Sequence, residues 1–433
     1  MYRTLVAPIS SQVEVTWGCN NRCPHCYNTW ATQKRSTLPH LTETTICLIV
    51  DELARNEVFD VTFTGGEPLC FPSILLAGVR KAIERGLEVN LNSNVTLLNA
   101  GLANELRALG VKSILISLAG PSSAIHDAVV GRKGAFEETV TGIRMATNAG
   151  LRVAANMVTT KVNEGFVLQT GRLAHQLGAK SFGATRTTAP GNFPAFESKF
   201  KVSRETVKAH LSQLIELSKE TGIQVDVFEH YPLCLLGDLK TYARMARRKC
   251  TAGVATVAIG SDGSVRPCTH NEKSYGSVFL PNGLSMAWAK MTEWRDGSLI
   301  PEKCRACKYL MACSGGCRMD ALSYGDIAGM DSYATGEQDV RPVAVTNYDE
   351  QLPQNFMLSV PLKVRKESFG GLVKPSRGSP TLLDEEGFAI IKKLLGSPEK
   401  LTTAKLVSDY GLKPTEVNDF AKDLLAKKVF VEM

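Results

Sequence analysis

The sequence predicts an α/β protein: a partial (β/α)6 TIM-type barrel, then a cysteine-rich segment, then a small winged-helix-like α+β domain. Three observations carry that expectation. Between residue 12 and about residue 185, short β-rich runs alternate with helical patterns, the signature of parallel β/α units. Six cysteines fall between Cys250 and Cys317, where long apolar runs are few. Such a segment builds little core and usually needs metal to hold it. From residue 356 the order changes to β-β-β-α-α-α with a short final strand.

Strands are expected over Gln12–Trp17, Val58–Thr64, Leu87–Asn92, Ser113–Leu118, Arg152–Thr159 and Lys180–Thr185. Helices fit between them at Leu41–Asn56, Pro72–Arg85, Ala103–Leu109, Phe136–Ala149 and Gly165–Leu177. Six units are too few to close an eight-fold barrel, so the barrel is open, and its chemistry belongs at the C-terminal ends of the strands. Pro190 to Pro194 (PGNFP) closes this first region, residues 1–200. A bridging region, 201–249, holds a helix, Ser203–Thr221, and a strand, Gln224–Glu229. The cysteine-rich segment runs over 250–333, and the polar, proline-containing stretch 334–355 reads as a linker. In the last region, 356–433, strands are expected at Leu358–Val364, Phe369–Lys374, Thr381–Leu383 and Val429–Glu432. Helices are expected at Asp384–Leu395, Thr402–Tyr410 and Lys413–Lys427. Asp384 and Thr402 suit N-caps, and Gly396 and Gly411 stand where helices stop.

With 433 residues, 44% hydrophobic and 21% charged, the chain has the make-up of a globular protein of two to three domains rather than a disordered one. The formal charge of +7 is spread along the chain, and its densest run (Arg244, Arg247, Arg248, Lys249) reads as a solvated helix face. No nucleic-acid partner is expected, although a mild positive balance suits an acidic peptide or an anionic cofactor. The N-terminus lacks a signal-peptide pattern, and no apolar run is long enough for a bilayer. The expected location is cytoplasmic, with no membrane partner. Clustered cysteines in a reducing compartment are metal ligands or catalytic groups more often than disulfides. Of the twelve cysteines, the singletons Cys47, Cys70 and Cys234 read as small apolar core residues.

The stretch TWGCNNRCPHCYN places Cys19, Cys23 and Cys26 in a C-x3-C-x2-C pattern on the loop after the first strand. Three thiolates can hold three irons of a 4Fe–4S cube and leave the fourth iron open. Structural zinc needs a fourth ligand, and His25, wedged inside the loop, would be cramped. One strand later comes VTFTGGEP, whose glycines permit close backbone approach to a ligand. With both motifs in place, residues 12 to about 190 resemble the radical S-adenosylmethionine (SAM) enzymes. That resemblance implies that the open iron chelates SAM. One electron then cleaves the S–C5′ bond to give a 5′-deoxyadenosyl radical, which abstracts hydrogen from substrate. It also implies that Gly65, Gly66 and Glu67 lie at the methionine amino group, and that Tyr27 packs near adenine. Ser117 and Asn156 are further SAM contacts by the same resemblance. Asn92, Asn94 and Arg186 are further strand-end candidates, and each of these five residues could equally be an ordinary polar residue.

The second group reads Cys250, Cys268, then Cys304-x2-Cys307-x5-Cys313-x3-Cys317. Six soft ligands alone would also permit a double zinc site. The pattern closely resembles the SPASM domain, an extension of radical SAM enzymes that carries auxiliary 4Fe–4S clusters. The resemblance assigns Cys250, Cys268 and Cys317 to a first auxiliary cluster, and Cys304, Cys307 and Cys313 to a second. The chain departs from the family in lacking a cysteine after Cys317. Asp320, Asp326 and Asp331 are candidates to complete the second cluster, and Cys234 is a candidate for the first.

The C-terminal stretches FGGLV, LLDEEGFAIIKKLL and LLAKKVFVEM resemble the PqqD-like peptide-recognition element. Its family grips the leader of a ribosomally made precursor peptide by adding a strand beside the third strand. Together the resemblances imply a radical SAM/SPASM peptide maturase. It would act on the leader and core of a precursor peptide with one or two auxiliary clusters and an electron donor such as flavodoxin or ferredoxin. The product would be a cross-link, such as a thioether or C–C bond, or a backbone change. Alternatives are a radical SAM/SPASM enzyme acting on a folded protein residue, or on a small molecule or tetrapyrrole. More remote is an iron–sulfur DNA-binding regulator. Glu416, Asp419 and Asp423 on the last helix argue against that role.

Overall fold

The computed structural model describes residues 3–28, 41–189, 199–336, 352–376, 378–396 and 399–433. The PGNFP stretch and most of the expected linker lie outside the described residues. The chain divides into two compact units, 1–343 and 344–433, with the cysteine-rich segment inside the first. Among the described residues no helix is long and apolar enough to cross a membrane.

The first unit is built on one sheet, ordered β10-β9-β8-β1-β2-β3-β4-β5-β6-β7. Strands β1 (Ser10–Thr16), β2 (Asp60–Gly65), β3 (Glu88–Ser93), β4 (Ser113–Ser117), β5 (Val153–Thr159) and β6 (Ser181–Arg186) match the six expected ones within a few residues. All neighbours from β1 to β6 pair in parallel. Parallel strands carry helices on the crossovers, so the strands become buried, and all six residues of β6 are. The linear order leaves the sheet open, but six strands understate it. The bridging strand shortens to β7 (Gln224–Asp226) and joins β6 in parallel. On the other side, β8 (Thr256–Ile259) pairs in parallel with β1. From there β9 (Ser264–Arg266) and β10 (Gly276–Ser277) extend the sheet antiparallel. The cysteine-rich segment thus obtains backbone pairing from the main sheet that its own composition cannot provide.

The expected helices form at Glu43–Arg55, Pro72–Glu84, Ala100–Ala108, Ala135–Asn148 and Val167–Gln176. A further helix, Ser123–Val130, was missed, although Ser122 and Gly131 bracket it as N-cap and left-handed C-cap. It matters for the site because it carries His126. The His126 Nδ1 accepts a hydrogen bond from Ala119 N–H (3.1 Å), while Asn163 Nδ2 donates to Ala119 O (2.9 Å). These two bonds fix the turn that follows β4.

The second unit has a three-stranded antiparallel sheet, β12 (Leu362–Glu367), β13 (Gly370–Pro375) and β14 (Thr381–Leu383), with β12 and β14 at its edges. A second, two-stranded sheet pairs β11 (Phe356–Leu358) with β15 (Phe430–Glu432). The single strand expected over Leu358–Val364 is therefore two, interrupted near Pro361, which has no N–H for a ladder. Helices Glu385–Gly396, Thr403–Ser408 and Val417–Ala426 cover a core of Phe356, Val373, Phe388, Ile391, Leu406, Leu424 and Phe430. A Cβ on Gly371 would meet the Phe388 ring at 2.1 Å, so the FGGLV glycine is what lets Phe388 lie on β13. Asp384 and Thr402 cap their helices as expected, each accepting a backbone N–H (2.9 and 3.1 Å).

Candidate active site

The first cysteine loop leaves β1 at a register irregularity between Glu14 and Thr16. Gly66 N–H donates to Thr16 O (2.7 Å) and Glu67 N–H to Gly18 O (2.8 Å), stitching the end of β2 to the root of the loop. A Cβ on Gly65 would stand 2.1 Å from Thr16 O, and one on Gly66 2.0 Å from Gly18 O. Gly65 also has φ +132°. Both glycines are therefore required by loop-on-strand contact, apart from any ligand.

Glu67 is fully buried. Its Oε1 accepts from Leu69 N–H (2.9 Å) and Ser93 Oγ–H (2.7 Å), and its Oε2 from Asn94 N–H (2.7 Å). Burial pushes its pKa up to about 7 against the pull of those bonds. The carboxyl group thus ties the ends of β2 and β3 together.

The three thiols lie close to one another. Burial pushes Cys19 up to about 12, opposed by the Asn21 N–H, with Glu67, Cys26 and Cys70 adding to the rise. Cys23 is also raised, by burial first and then by Cys26 and Cys19. Cys19 Sγ accepts from Asn21 N–H (3.4 Å) and Asn94 Nδ2–H (3.8 Å). Cys70, read from sequence as a core residue, is half-buried and near enough to Cys19 to raise its pKa. Among the described residues no three His, Cys, Asp or Glu side chains converge on a point fit for one metal ion. Tetrahedral zinc would draw its thiolates to about 2.3 Å from a shared centre. A cubane gives each thiolate its own iron, so neighbouring but unconverged thiols fit a cluster better.

Tyr27 stacks on His270, with ring centroids 4.2 Å apart and planes at 16°. Its hydroxyl bonds to Thr64 and Thr269, and burial holds the phenol well above its ordinary range. Burial lowers His270 to about 4, so its imidazole is neutral near pH 7. One face of the Tyr27 ring is thereby occupied by the second cysteine region. Beneath it, Arg266 of β9 pairs with Glu14 of β1, both fully buried. Glu14 also accepts from Trp17 Nε1 (2.7 Å), and Arg266 donates to Asn271 O (3.2 Å). This network, which sequence reading missed, joins the two cysteine regions. The single charge in SSQVEVT was its only signal.

Ser117 is exposed at the end of β4 and lies opposite Asn156 in register. Asn156 Oδ1 accepts from Thr185 Oγ1 (2.7 Å). Asn94 reaches the loop directly, donating to Asn20 Oδ1 (2.8 Å), while Asn92 stays half-buried within β3. Arg186 fits the second of its two readings, an ordinary paired polar residue. It is 1% exposed and donates to Asp331 through Nη1 (3.0 Å) and Nη2 (2.7 Å), and to His230 O (3.1 Å). It also lies over the Tyr333 and Tyr231 rings (4.8 and 5.3 Å). A buried guanidinium must be paired, and this one is committed to the cysteine-rich segment rather than to a cofactor.

The same bonds correct the carboxylate ligand candidates. Besides Arg186, Asp331 accepts from Cys317 N–H (2.8 Å) and Tyr333 N–H (3.0 Å), which occupies its lone pairs. Asp320 accepts from Ser332 N–H (2.6 Å) and stands 3.5 Å from Arg186. Asp326 accepts from Ala328 N–H (2.9 Å) at the surface.

The cysteines from Cys250 to Cys317 form two sets. Burial raises Cys250, Cys268 and Cys317, with Cys268 at about 12. Cys250 adds to the rise at the other two, and the Glu229 carboxylate adds to it at all three. Glu229, absent from the sequence reading, accepts from Thr188 Oγ1 (2.6 Å). The other set is Cys304, Cys307 and Cys313, which line one cavity together with Cys234. Burial pushes Cys313 up to about 11. Cys234, a candidate for the first set by sequence, thus lies beside the second.

Comparison with known proteins agrees with this chemistry. Residues 13–171 match the Radical SAM superfamily. The AdoMet-dependent heme synthase of Methanosarcina barkeri is 28% identical over 327 residues, spanning 72% of this chain and 91% of that protein. The PqqA peptide cyclase of Ruegeria pomeroyi is 26% identical over 351 residues, spanning 78% and 89%. In fold, the chain is similar to Streptococcus suis SuiB bound to precursor peptide SuiA, with a TM-score of 0.63, 15% identity and 77% of each chain covered. The match over residues 13–171, with relatives that are named as enzymes, marks the chain as an enzyme whose N-terminal part is similar to the Radical SAM superfamily.

Proposed function

We propose that the protein modifies a ribosomally synthesised precursor peptide, forming a cross-link or altering the backbone. The observation that carries this reading is the pairing of a three-thiol loop at the C-terminal end of β1 with a separate C-terminal unit whose small sheet has open edges. In it, Cys19, Cys23 and Cys26 hold the cluster that binds SAM. When bound, that cluster supplies one electron to SAM and so a 5′-deoxyadenosyl radical. The protein's own part is positioning. Glu67 and the glycine pair fix the loop against β2. Asn94 bonds to the Cys19 thiol. Ser117 and Asn156 present polar groups at the ends of adjacent strands. Cys250, Cys268 and Cys317, with Cys304, Cys307 and Cys313, would hold SPASM-type auxiliary clusters, which would supply electron acceptors beside the site.

Residues 356–433 serve as a winged-helix, PqqD-like leader-binding domain. β14 is an edge strand and Leu382 on it is 40% exposed, which suits a leader added as a further strand. Holding the leader raises the effective concentration of the core peptide at the site. The name of the Ruegeria pomeroyi relative supports a peptide substrate. The name of the Methanosarcina barkeri relative supports a second reading, a tetrapyrrole substrate.

The test is anaerobic reaction of the reconstituted chain, SAM and reductant with a candidate short precursor peptide, followed by mass spectrometry. Loss of a hydrogen pair is expected for a cross-link. Removing residues 344–433 should raise KM for the peptide and leave SAM cleavage intact. An unchanged peptide alongside a converted tetrapyrrole would establish the second reading instead.

A further inference from the structure

We infer that Cys234 is the fourth thiolate of the second auxiliary cluster, so that Cys234, Cys304, Cys307 and Cys313 close it with four cysteines. The inference rests on the reading that this segment binds iron–sulfur clusters. It supplies from upstream in the chain the ligand that the sequence lacks after Cys317.

Four thiols line one cavity, with about 500 Å³ of space free of protein atoms when its open mouth is included. Cys234 sits in the helical turn Leu233–Leu236. Leu233, Leu235 and Leu236 of that turn are buried, while Cys234 is half-buried against the cavity. The leucines fix the turn, and the Leu233 N–H donates to Cys313 Sγ (3.4 Å), bolting it to the cysteine it would join in the cluster. Such N–H···S bonds are the kind that tune cluster thiolates. Cys234 is near enough to Cys304 and Cys313 for each to feel its charge. The carboxylates that could have taken its place are committed: Asp331 and Asp320 to Arg186, Asp326 to a surface turn. Met330, whose Sδ lies 3.7 Å from Cys304 Sγ, is a further soft donor nearby.

Ligand counting then makes the two auxiliary sites unlike. The second is closed by four thiolates and suits electron transfer only. The first keeps three thiolates with Glu229 alongside.

The test uses full-length protein in which Cys19, Cys23 and Cys26 are all alanine, so that only auxiliary iron remains. Iron and sulfide content, Mössbauer and EPR spectra are compared among this parent, Cys234→Ala, Cys234→Ser and Met330→Leu, with circular dichroism confirming the fold of each. Cys234→Ala should lose one auxiliary signal and about half the auxiliary iron, as expected if one of two cubanes is lost. Cys234→Ser should keep the iron with a shifted signal, because an alkoxide replaces a thiolate. Met330→Leu should match the parent. Unchanged spectra in both Cys234 variants, or a change confined to Met330→Leu, would overturn the assignment of Cys234. A parent that binds no iron would overturn the auxiliary-cluster reading itself.

Discussion

The loop Cys19–Cys26 and the segment Cys250–Cys317 both gather thiols, by opposite means. The first does so locally: three cysteines in eight residues, held by a glycine pair and the carboxyl of Glu67. The second draws on the whole unit. Arg186 from β6 anchors Asp331 and with it the Cys317 backbone. Arg318 donates to the carbonyls of Leu299, Ile327 and Gly329 (2.9 to 3.0 Å). Arg266 reaches across to Glu14. Arginine suits this task because its five donors can satisfy several carbonyls at once where helices and strands are short. A local site tolerates change elsewhere in the chain. A distributed one fails when any anchor is removed.

The largest contrast should come from cysteine substitutions. Cys23→Ala should abolish release of 5′-deoxyadenosine, whereas Cys317→Ala should remove auxiliary iron and leave SAM cleavage in place. Next is the anchor. Arg186→Met strands a buried carboxylate and should cost about 3–5 kcal/mol in urea unfolding, while the double variant Arg186→Met/Asp331→Leu should recover only part of it, because Cys317 N–H and Tyr333 N–H then lose their acceptor. If Arg186→Met is neutral, the cysteine-rich segment does not depend on that bridge.

Locality also explains what could be read from sequence. β1 to β6 follow from alternating runs, and the C-x3-C-x2-C loop follows from spacing, because every determinant lies within one β/α unit. The pairing of β8 with β1, the Tyr27–His270 stack and the Glu14–Arg266 pair join residues more than 240 apart, with no periodicity to announce them. Arg186 and Asp331 were both noticed, one as a cofactor contact and one as an iron ligand. Each satisfies the other, and composition cannot reveal a buried pair whose members are 145 residues apart.

Smaller effects sharpen the same contrast. Glu67→Gln puts an amide nitrogen against N–H or O–H donors and should cost about 1–3 kcal/mol. The loss should be larger at pH 5 than at pH 8: a carboxyl raised to about 7 in the folded chain adds stability as pH falls below 7 and loses it as pH rises through 7, whereas glutamine does not titrate. His126 is held neutral by burial, its pKa lowered to about 4 from 6.5. Its contribution is therefore complete above pH 6.5 and lost as pH falls toward 4, at about 1.4 kcal/mol per pH unit. His126→Ala should flatten that acid limb while lowering stability near pH 7 by leaving Ala119 N–H unpaired. Tyr27→Phe keeps the stack on His270 and loses only the bonds to Thr64 and Thr269, a cost of about 0.5–1.5 kcal/mol.

The most direct measurement is nucleoside release by the anaerobically reconstituted chain given SAM and dithionite, beside its metal content. The account predicts iron and sulfide in the protein, and 5′-deoxyadenosine from the unaltered chain and from Cys317→Ala but none from Cys23→Ala. Zinc at Cys19, Cys23 and Cys26, or nucleoside release that survives Cys23→Ala, would contradict it.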